Sequence, residues 1–265
     1  MVEKISFKSR LNRRGKKISE KHASLLPLLR FTKKVLFSKH QISWWGSKII
    51  ERHNINKFCK IYHEKREKDS RIWQKTTWLG TSALKLPTDL WIYQEILYDV
   101  KPDLIIETGT MYGGSALFLA TICDAIKKGS IVSIDINRKN SFPDHEKIKY
   151  ITGSSTDEQI VNQVKNMIKT NDRVMVILDS DHTKNHVLNE MEIYSKLVSK
   201  DSYLIVEDTA INGHPVEPNF GDGPMEAVNE FLKTHDEFEI DKDKEKFLLT
   251  WNPNGYLKKI KNTAQ

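Results

Sequence analysis

Cysteine and long apolar runs are both scarce in this 265-residue sequence. Its two cysteines, Cys59 and Cys123, lie far apart and outside any Cys-x-x-Cys pair, so neither a disulfide framework nor a thiolate metal site is predicted. The apolar runs, such as residues 204–206, are far shorter than the roughly 18 residues that cross a bilayer, so no transmembrane helix is predicted. Hydrophobic residues make up 38% of the chain and charged residues 29%, which predicts a soluble, globular protein and excludes wholesale disorder. The cysteine usage favours a reducing, cytoplasmic compartment.

Acidic residues are sparse at the start of the chain. Residues 1–70 contain 19 Lys/Arg and 6 Asp/Glu, although the whole chain carries a net charge of only +7. A basic arm of this kind binds anionic lipid, nucleic acid or a polyanionic substrate, and it can equally be a solvated helical extension. Apolar residues lie among the cations at 25–37, which favours the inner face of a membrane over nucleic acid as the partner. Pro27 interrupts the first apolar cluster, so a secretory signal is not predicted.

From about residue 86, short β-branched runs alternate with helical patterns, which is typical of stacked βα units. The predicted strands are 104–107, 131–135, 148–151, 174–178 and 203–206, followed by an antiparallel hairpin of 238–240 and 246–251. The predicted helices are 89–100, 113–127, 157–169, 184–198 and 224–233. We therefore predict a doubly wound α/β fold with a mostly parallel, seven-stranded, Rossmann-like sheet. The predicted divisions are a basic, helical extension at 1–75, a main domain at 76–255 and a basic tail at 256–265.

A cofactor site is predicted at the carboxyl ends of the first strands, where open parallel sheets bind ligands. The first strand leads into a glycine-bearing turn, but Met111 breaks the dinucleotide fingerprint and no P-loop lysine follows. Asp135 ends the second strand, where a carboxylate can accept hydrogen bonds from ribose hydroxyls. Tight packing of the turn is the alternative explanation for its glycines. The pattern fits S-adenosylmethionine, with the predicted site residues Glu107, Gly109, Thr110, Gly113, Gly114, Ser115, Asp135, Ser154 and Asp179.

A metal site is predicted beside it, where two further strands end. Asp179 follows one strand, and Glu207 and Asp208 follow the next. Three converging carboxylates repel one another unless a cation lies between them, and such oxygen ligands suit Mg²⁺ or another divalent cation. Asp181 is an alternative to Asp179 as a ligand.

The segments 101–109, 178–182 and 204–209, with the loop segments 212–216 and 220–224, resemble the cephalosporin hydroxylase and rhamnosyl O-methyltransferase family over roughly residues 75–252. The resemblance implies the class I methyltransferase fold, a site for S-adenosylmethionine and a divalent metal, and methylation of hydroxyl groups. Similar O-methyltransferases place a catalytic base three residues after the first metal ligand. By this likeness Asp179 and His182 are the catalytic residues, with His214 as the alternative base.

The predicted function is therefore O-methylation of a hydroxyl on a sugar, as part of a glycoconjugate, polysaccharide or natural product. Two alternatives are a hydroxylation or methoxylation partner in antibiotic biosynthesis, and a non-catalytic protein that docks through its basic arm. Residues 210–224 contain three Pro and three Gly and are predicted to form an ordered substrate lid. Trp73, Trp78 and Trp91 are candidates for a sugar-stacking wall or for ordinary core packing. A homo-oligomer is also compatible with the sequence.

Overall fold

The computed structural model describes residues 39–139 and 141–262, with side chains from residue 48 onward. The chain divides into two units, Met1–Asn54 and Ile55–Gln265. The described part of the first unit, residues 39–54, belongs to helix α1 (Lys39–Glu64). The apolar and basic stretch at 25–37, on which the membrane prediction depends, lies outside the described residues. Among the described helices, none combines the length and the apolar character needed to cross a membrane.

The second unit is built on one seven-stranded sheet. Its strands are β5 (Leu104–Thr108), β6 (Ser130–Asp135), β7 (Ile148–Thr152), β8 (Val174–Leu178), β9 (Tyr203–Val206), β10 (Phe238–Ile240) and β11 (Tyr256–Lys259). They lie in the order β10-β11-β9-β8-β5-β6-β7. Strands β5 to β9 pair in parallel, whereas β11 pairs antiparallel with both β9 and β10. This confirms the predicted seven-stranded, mostly parallel sheet.

Short hairpins and helices complete this unit. Two small antiparallel ribbons precede the sheet, namely β1 (Arg66–Glu67) with β2 (Ser70–Arg71), and β3 (Thr77–Trp78) with β4 (Thr81–Ser82). The helices are α2 (Pro87–Val100), α3 (Gly114–Ala125), α4 (Glu158–Lys165), α5 (Lys184–Tyr194) and α6 (Pro224–Phe231). Their apolar faces cover both faces of the sheet, so β5 and β8 are buried along their whole length.

Strand register brings the predicted site residues to one edge of the sheet. Thr108, the last residue of β5, pairs with Ile134 of β6 and Leu178 of β8. Leu178 in turn pairs with Val206, the last residue of β9. The residues that follow these strands therefore lie side by side along one edge of the sheet. This is the edge at which open parallel sheets bind their ligands.

The C-terminal part of the sheet differs from the prediction. Residues 246–251 do not form a strand, because Leu248 adopts a left-handed backbone (φ 65°) and Trp251 packs against the rings of His63 and Trp73. Tyr256–Lys259, assigned to a basic tail by its lysines, forms β11 instead. Its Lys259 is buried and donates to the carbonyls of Ser195 and Val198, which satisfies the end of α5.

Candidate active site

A cavity of about 560 Å³ opens at this edge of the sheet. Its wall combines the turn after β5 with the ends of β6, β7 and β8 and the loop after β4. The predicted cofactor residues that line it are Gly109, Thr110, Gly114, Ser115, Asp135, Ser154 and Asp179. Asp181, His182 and Asp208 line it as well. The carboxylates and the glycine turn, predicted from separate segments, therefore share one cavity.

Asp135 organises the turn after β5. Its Oδ2 accepts hydrogen bonds from the backbone N–H groups of Thr110 and Met111, at 3.0 and 2.8 Å, and its Oδ1 accepts one from Asn137 at 2.9 Å. A carboxylate has about four acceptor positions, so lone pairs remain for hydroxyl groups in the cavity. The predicted cofactor residue thus also holds the turn that forms the cavity wall, and its chemistry fits a ribose.

Gly109 leaves no space for a side chain. Its φ of +88° is in the left-handed region, and a Cβ there would lie 1.8 Å from the carbonyl oxygen of Asp179. The close approach brings the turn after β5 against the end of β8. Part of the glycine signal in the sequence therefore reflects close packing between two strand ends, whereas the alternative drawn from the sequence was packing of a strand against a helix.

Glu107 lies behind the cavity wall and does not line it. It is 1% exposed and accepts a hydrogen bond of 2.6 Å from the Ser133 hydroxyl. Burial raises the pKa of Glu107 to about 7. Its side chain belongs to strand β5 itself, one residue before the strand ends, so it supports the turn from within the sheet. Glu107 and Gly113 lie outside the lining residues of the cavity, and their contact with the cofactor stays a prediction.

His182 lies between two of the predicted metal ligands. Its Nε2 is 3.5 Å from Oδ1 of Asp179 and 3.3 Å from Oδ2 of Asp208. This buried nitrogen has no hydrogen-bond partner of good geometry among the described residues. One donor atom from each of the three side chains falls within 4.8 Å of the others, which is close enough for a shared cation. The group therefore fits a divalent metal, with His182 beside it.

The charges around His182 determine its proton affinity. Burial alone would lower its pKa, but Asp208 and Asp179 outweigh burial and raise the pKa to about 9. With that pKa the imidazole is a proton donor at neutral pH. It becomes an acceptor only where positive charge offsets the two carboxylates, as a bound divalent cation does.

Glu207 lies outside this group of three. Its Oε1 accepts a 2.7 Å hydrogen bond from the Tyr93 hydroxyl, and its Oε2 accepts one from the Lys85 ammonium. Burial, followed by repulsion from Asp179, raises the pKa of Glu207 to about 8. Glu207 is thus occupied by Tyr93 and Lys85, and its role as a third metal ligand beside Asp179 and Asp208 stays a prediction.

Lys85 is a site residue that was not predicted from the sequence. It lies in the loop between β4 and α2, and its ammonium also donates to Oδ2 of Asp179. Little in the sequence indicated that Lys85 belongs to the site, since it is one of 42 Lys and Arg residues and lies 94 positions before Asp179. Only its position between two apolar leucines, Leu84 and Leu86, indicated a buried lysine.

The alternative site residues have other contacts. Oδ1 of Asp181 accepts a 2.7 Å hydrogen bond from the N–H of Thr183, next to the start of α5, and Asp181 is outside the three-residue group. His214 pairs with Glu226 at 2.8 Å and is not a lining residue of the cavity. His182 is therefore better placed than His214 to act as the base.

The predicted lid and tryptophan wall are supported only in part. Residues 210–224 are ordered around Glu226, which accepts hydrogen bonds from Asn212 and Gly223, yet none of them is among the described lining residues. Of the three tryptophans, Trp73 lines the cavity. Trp78 packs against Phe118, and Trp91 is exposed.

The fold is that of a class I methyltransferase. The profile of the rhamnosyl O-methyltransferase/CmcI family matches residues 70–260. The rhamnosyl O-methyltransferase of Mycobacterium tuberculosis is 40% identical over 193 residues, which cover 70% of this chain and 79% of that protein. That of Mycobacterium leprae is 39% identical over 192 residues, covering 70% and 84%. The chain therefore belongs to the rhamnosyl O-methyltransferase/CmcI family, which confirms the family predicted from the sequence, and it is an O-methyltransferase.

Solved structures agree on the fold. A structure of CmcI with Mg and S-adenosylmethionine superposes with a TM-score of 0.58 at 18% identity and covers 74% of this chain and 81% of that chain. An apo structure of CmcI gives a TM-score of 0.56 at 22% identity, with the same coverage. At these identities the likeness concerns the fold alone.

Proposed function

We propose that this protein transfers the methyl group of S-adenosylmethionine to a hydroxyl of a sugar, with a rhamnosyl group as the first candidate acceptor. The relatives that are about 40% identical are rhamnosyl O-methyltransferases, and the identity extends over 193 residues. The observation that carries the chemistry is Nε2 of His182, which has no well-oriented hydrogen bond within residues 39–139 and 141–262 and lies on the cavity wall between Asp179 and Asp208. A sugar hydroxyl must lose a proton when its oxygen takes the methyl group, and this nitrogen is the candidate acceptor of that proton.

The cavity residues have separate roles in this proposal. Asp135 and the turn from Gly109 to Ser115 bind the ribose and the amino-acid part of the cofactor. Asp179 and Asp208 would hold a divalent cation, which would supply positive charge beside the reacting hydroxyl and leave other coordination positions for oxygen ligands. S-adenosylmethionine supplies an electrophilic methyl group, whose bond to sulfur breaks as its bond to the acceptor oxygen forms. His182 then holds the proton released by the hydroxyl.

Trp73 supports a sugar as the acceptor. It lines the cavity, and its indole N–H is directed to the carbonyl of His63 at 3.2 Å, which fixes the ring. A fixed aromatic ring at the edge of a cavity offers a flat apolar surface of the kind that the C–H faces of sugars contact. This is the tryptophan for which the predicted stacking role remains a candidate.

The test is methyl transfer from labelled S-adenosylmethionine to simple acceptors. The full chain is incubated with an alkyl rhamnoside or the matched alkyl glucoside, and label in the glycoside is counted. We expect transfer to the rhamnoside, loss of transfer in EDTA and recovery when Mg²⁺ is added in excess. Transfer to neither sugar would contradict the proposed acceptor class. Unchanged transfer in EDTA would contradict the metal and leave Lys85 as the cation beside Asp179.

A further inference from the structure

Lys85 is a buried lysine that binds two site carboxylates at once. Its side chain is 5% exposed, and its ammonium donates to both Asp179 and Glu207. Burial alone would lower the pKa of Lys85, but the two carboxylates outweigh burial and raise it. The lysine is therefore charged, as a buried lysine with paired carboxylates is expected to be.

The loop that carries Lys85 is anchored on both sides. The backbone N–H of Ala83 donates to the carbonyl of Thr76 at 3.0 Å, and Leu86 is fully buried at the start of α2. The neighbours Ala83 and Leu84 line the cavity, whereas Lys85 itself is not a lining residue. Its ammonium therefore acts on the cavity through Asp179 and Glu207, and not by direct contact with a ligand. Lys85 is in this sense a positioning residue.

The two carboxylate oxygens of Asp179 face different charged side chains. Its Oδ2 accepts from Lys85, while its Oδ1 faces Nε2 of His182 and the group that includes Asp208. A divalent cation on Asp179 would thus share that carboxylate with an ammonium. Like charges on one buried carboxylate repel strongly, because the surroundings screen them poorly. The same ammonium also occupies Oε2 of Glu207.

We propose that Lys85 is a built-in counter-cation that competes with a divalent metal for the carboxylates of Asp179 and Glu207 and thereby weakens metal binding. The proposal rests on the metal site of the proposed function. In the metal-free protein, Lys85 neutralises the buried carboxylate of Glu207 and the partly buried carboxylate of Asp179, whose charges would otherwise destabilise the folded state. The metal site then remains formed without the metal, and the metal exchanges readily because its affinity is limited.

The test measures binding of the metal alone. Mg²⁺ and Mn²⁺ are titrated by calorimetry into the full chain, without cofactor or acceptor, for the wild type and Lys85→Met. The variant keeps the length of the side chain and removes the charge, so we expect both metals to bind roughly tenfold or more tightly. Lys85→Arg retains the charge and should bind them no more tightly than the wild type does.

Lys259→Met is the matched control. Lys259 is the second buried lysine of the described residues, at 3% exposure, and its partners are the carbonyls of Ser195 and Val198, away from the cavity lining. Loss of its ammonium should leave the metal affinity unchanged. Tyr93→Phe is a second control, because it removes the other Glu207 contact without a change in charge, and it should alter the affinity by about twofold at most.

Thermal unfolding gives a second readout. Without metal, Lys85→Met should melt below the wild type, and added Mg²⁺ should raise its midpoint by more than it raises that of the wild type. The proposal would be overturned if both Lys85→Met and Lys85→Gln bound the metal no more tightly than the wild type. It would also be overturned if both variants stayed unfolded in excess Mg²⁺. Methyl transfer by the wild type is measured separately, so a failure of the proposed function is distinguished from a failure of this inference.

Discussion

His182 is the residue whose surroundings most directly link structure to chemistry. Its Nε2 faces Asp179 and Asp208 and lacks a well-oriented hydrogen bond within the described part of the chain. A buried nitrogen without a partner is costly unless a ligand completes the site. The same two carboxylates that hold the imidazole in place also control its charge. For this reason the histidine and the metal are expected to act together.

His182→Ala should lower the maximal rate of methyl transfer by about 10² to 10⁴, the usual contribution of a positioned general base. The affinity for S-adenosylmethionine, measured by calorimetry, should change little, because Asp135 and the turn from Gly109 to Ser115, which bind the cofactor in this proposal, lie at the ends of other strands. His214→Ala is the matched control and should retain most of the rate, since His214 pairs with Glu226 away from the cavity lining. If His214→Ala is the inactive variant, the base has been assigned to the wrong histidine.

Gly109 provides a second prediction for a single residue. Gly109→Ala should abolish measurable cofactor binding, because the new Cβ would lie 1.8 Å from the Asp179 carbonyl. Gly221→Ala is the control, since Gly221 has a similar φ of +96° but an added Cβ there would meet no atom within 4 Å. The control should lose only about 1 kcal/mol of stability from the left-handed backbone. Calorimetry and thermal melts compare the two variants, and equal behaviour would show that strain alone matters at Gly109.

Helix α2 is joined to the C-terminal segment by one buried carboxylate. Asp89 accepts hydrogen bonds of 2.9 Å from the N–H of Trp251 and from the hydroxyl of Tyr256 at the start of β11. These contacts connect residues more than 160 positions apart in the chain. The segment between Trp251 and Tyr256 is therefore held in place by a helix that is distant in sequence. A local pattern of strand-forming residues cannot predict such a contact.

Burial raises the pKa of Asp89 to about 6, from an ordinary value of 3.8. The folded state therefore binds more protons than the unfolded state between these two values, and the free energy of unfolding falls as the pH rises through this window. Asp89→Asn mimics the protonated side chain and should remove this dependence. Between pH 4 and pH 7 the wild type should lose about 2 kcal/mol relative to the variant.

Urea unfolding at a series of pH values measures this difference. Asp99→Asn, on the same helix, is the control because the Asp99 side chain is 64% exposed. Its stability should follow the wild type at each pH. A parallel pH dependence in Asp89→Asn and the wild type would show that Asp89 is already ionised in the folded protein at pH 4.

The whole molecule combines a basic N-terminal region with a methyltransferase unit. The unit division at Asn54/Ile55 lies earlier than the predicted boundary at residue 75. Residues just after it already belong to the second unit, because Cys59 is buried in a cluster with Leu86 and Trp251. A truncation at residue 70 would therefore remove part of the core, whereas one at residue 54 would remove no buried residue of the part of the chain whose side chains are described.

Deletion of residues 1–54 should leave the affinity for S-adenosylmethionine unchanged and weaken binding to anionic vesicles. Each Lys or Arg near such a surface contributes about 1 kcal/mol, so the loss should be large at low salt and small at high salt. Co-sedimentation with vesicles containing phosphatidylserine measures it, with neutral phosphatidylcholine vesicles as the control. A full chain that ignores anionic vesicles at low salt would leave the basic region as a solvated extension only.

The sequence by itself determined the order of the helices and strands. It also determined that the candidate site residues lie at the carboxyl-terminal edge of the sheet. Alternating β-branched runs and helical patterns are local signals, so β5 to β9 were predicted within a residue or two. Because parallel strands end at one edge, the meeting of Asp135, Asp179 and Asp208 on one cavity followed from their positions after strands. The family resemblance added His182, and the structure places it beside Asp179.

Only the tertiary structure decided which of these side chains touch one another. Lys85 meets Glu207 across 122 residues of sequence, and no local pattern encodes such a contact. Glu107 lies inside the sheet instead of at its edge, and β11 replaces the predicted strand at 246–251 because Trp251 is held by Asp89 and the aromatic cluster. Strand patterns depend on neighbours along the chain, whereas the pairing of buried charges depends on which neighbours folding brings together.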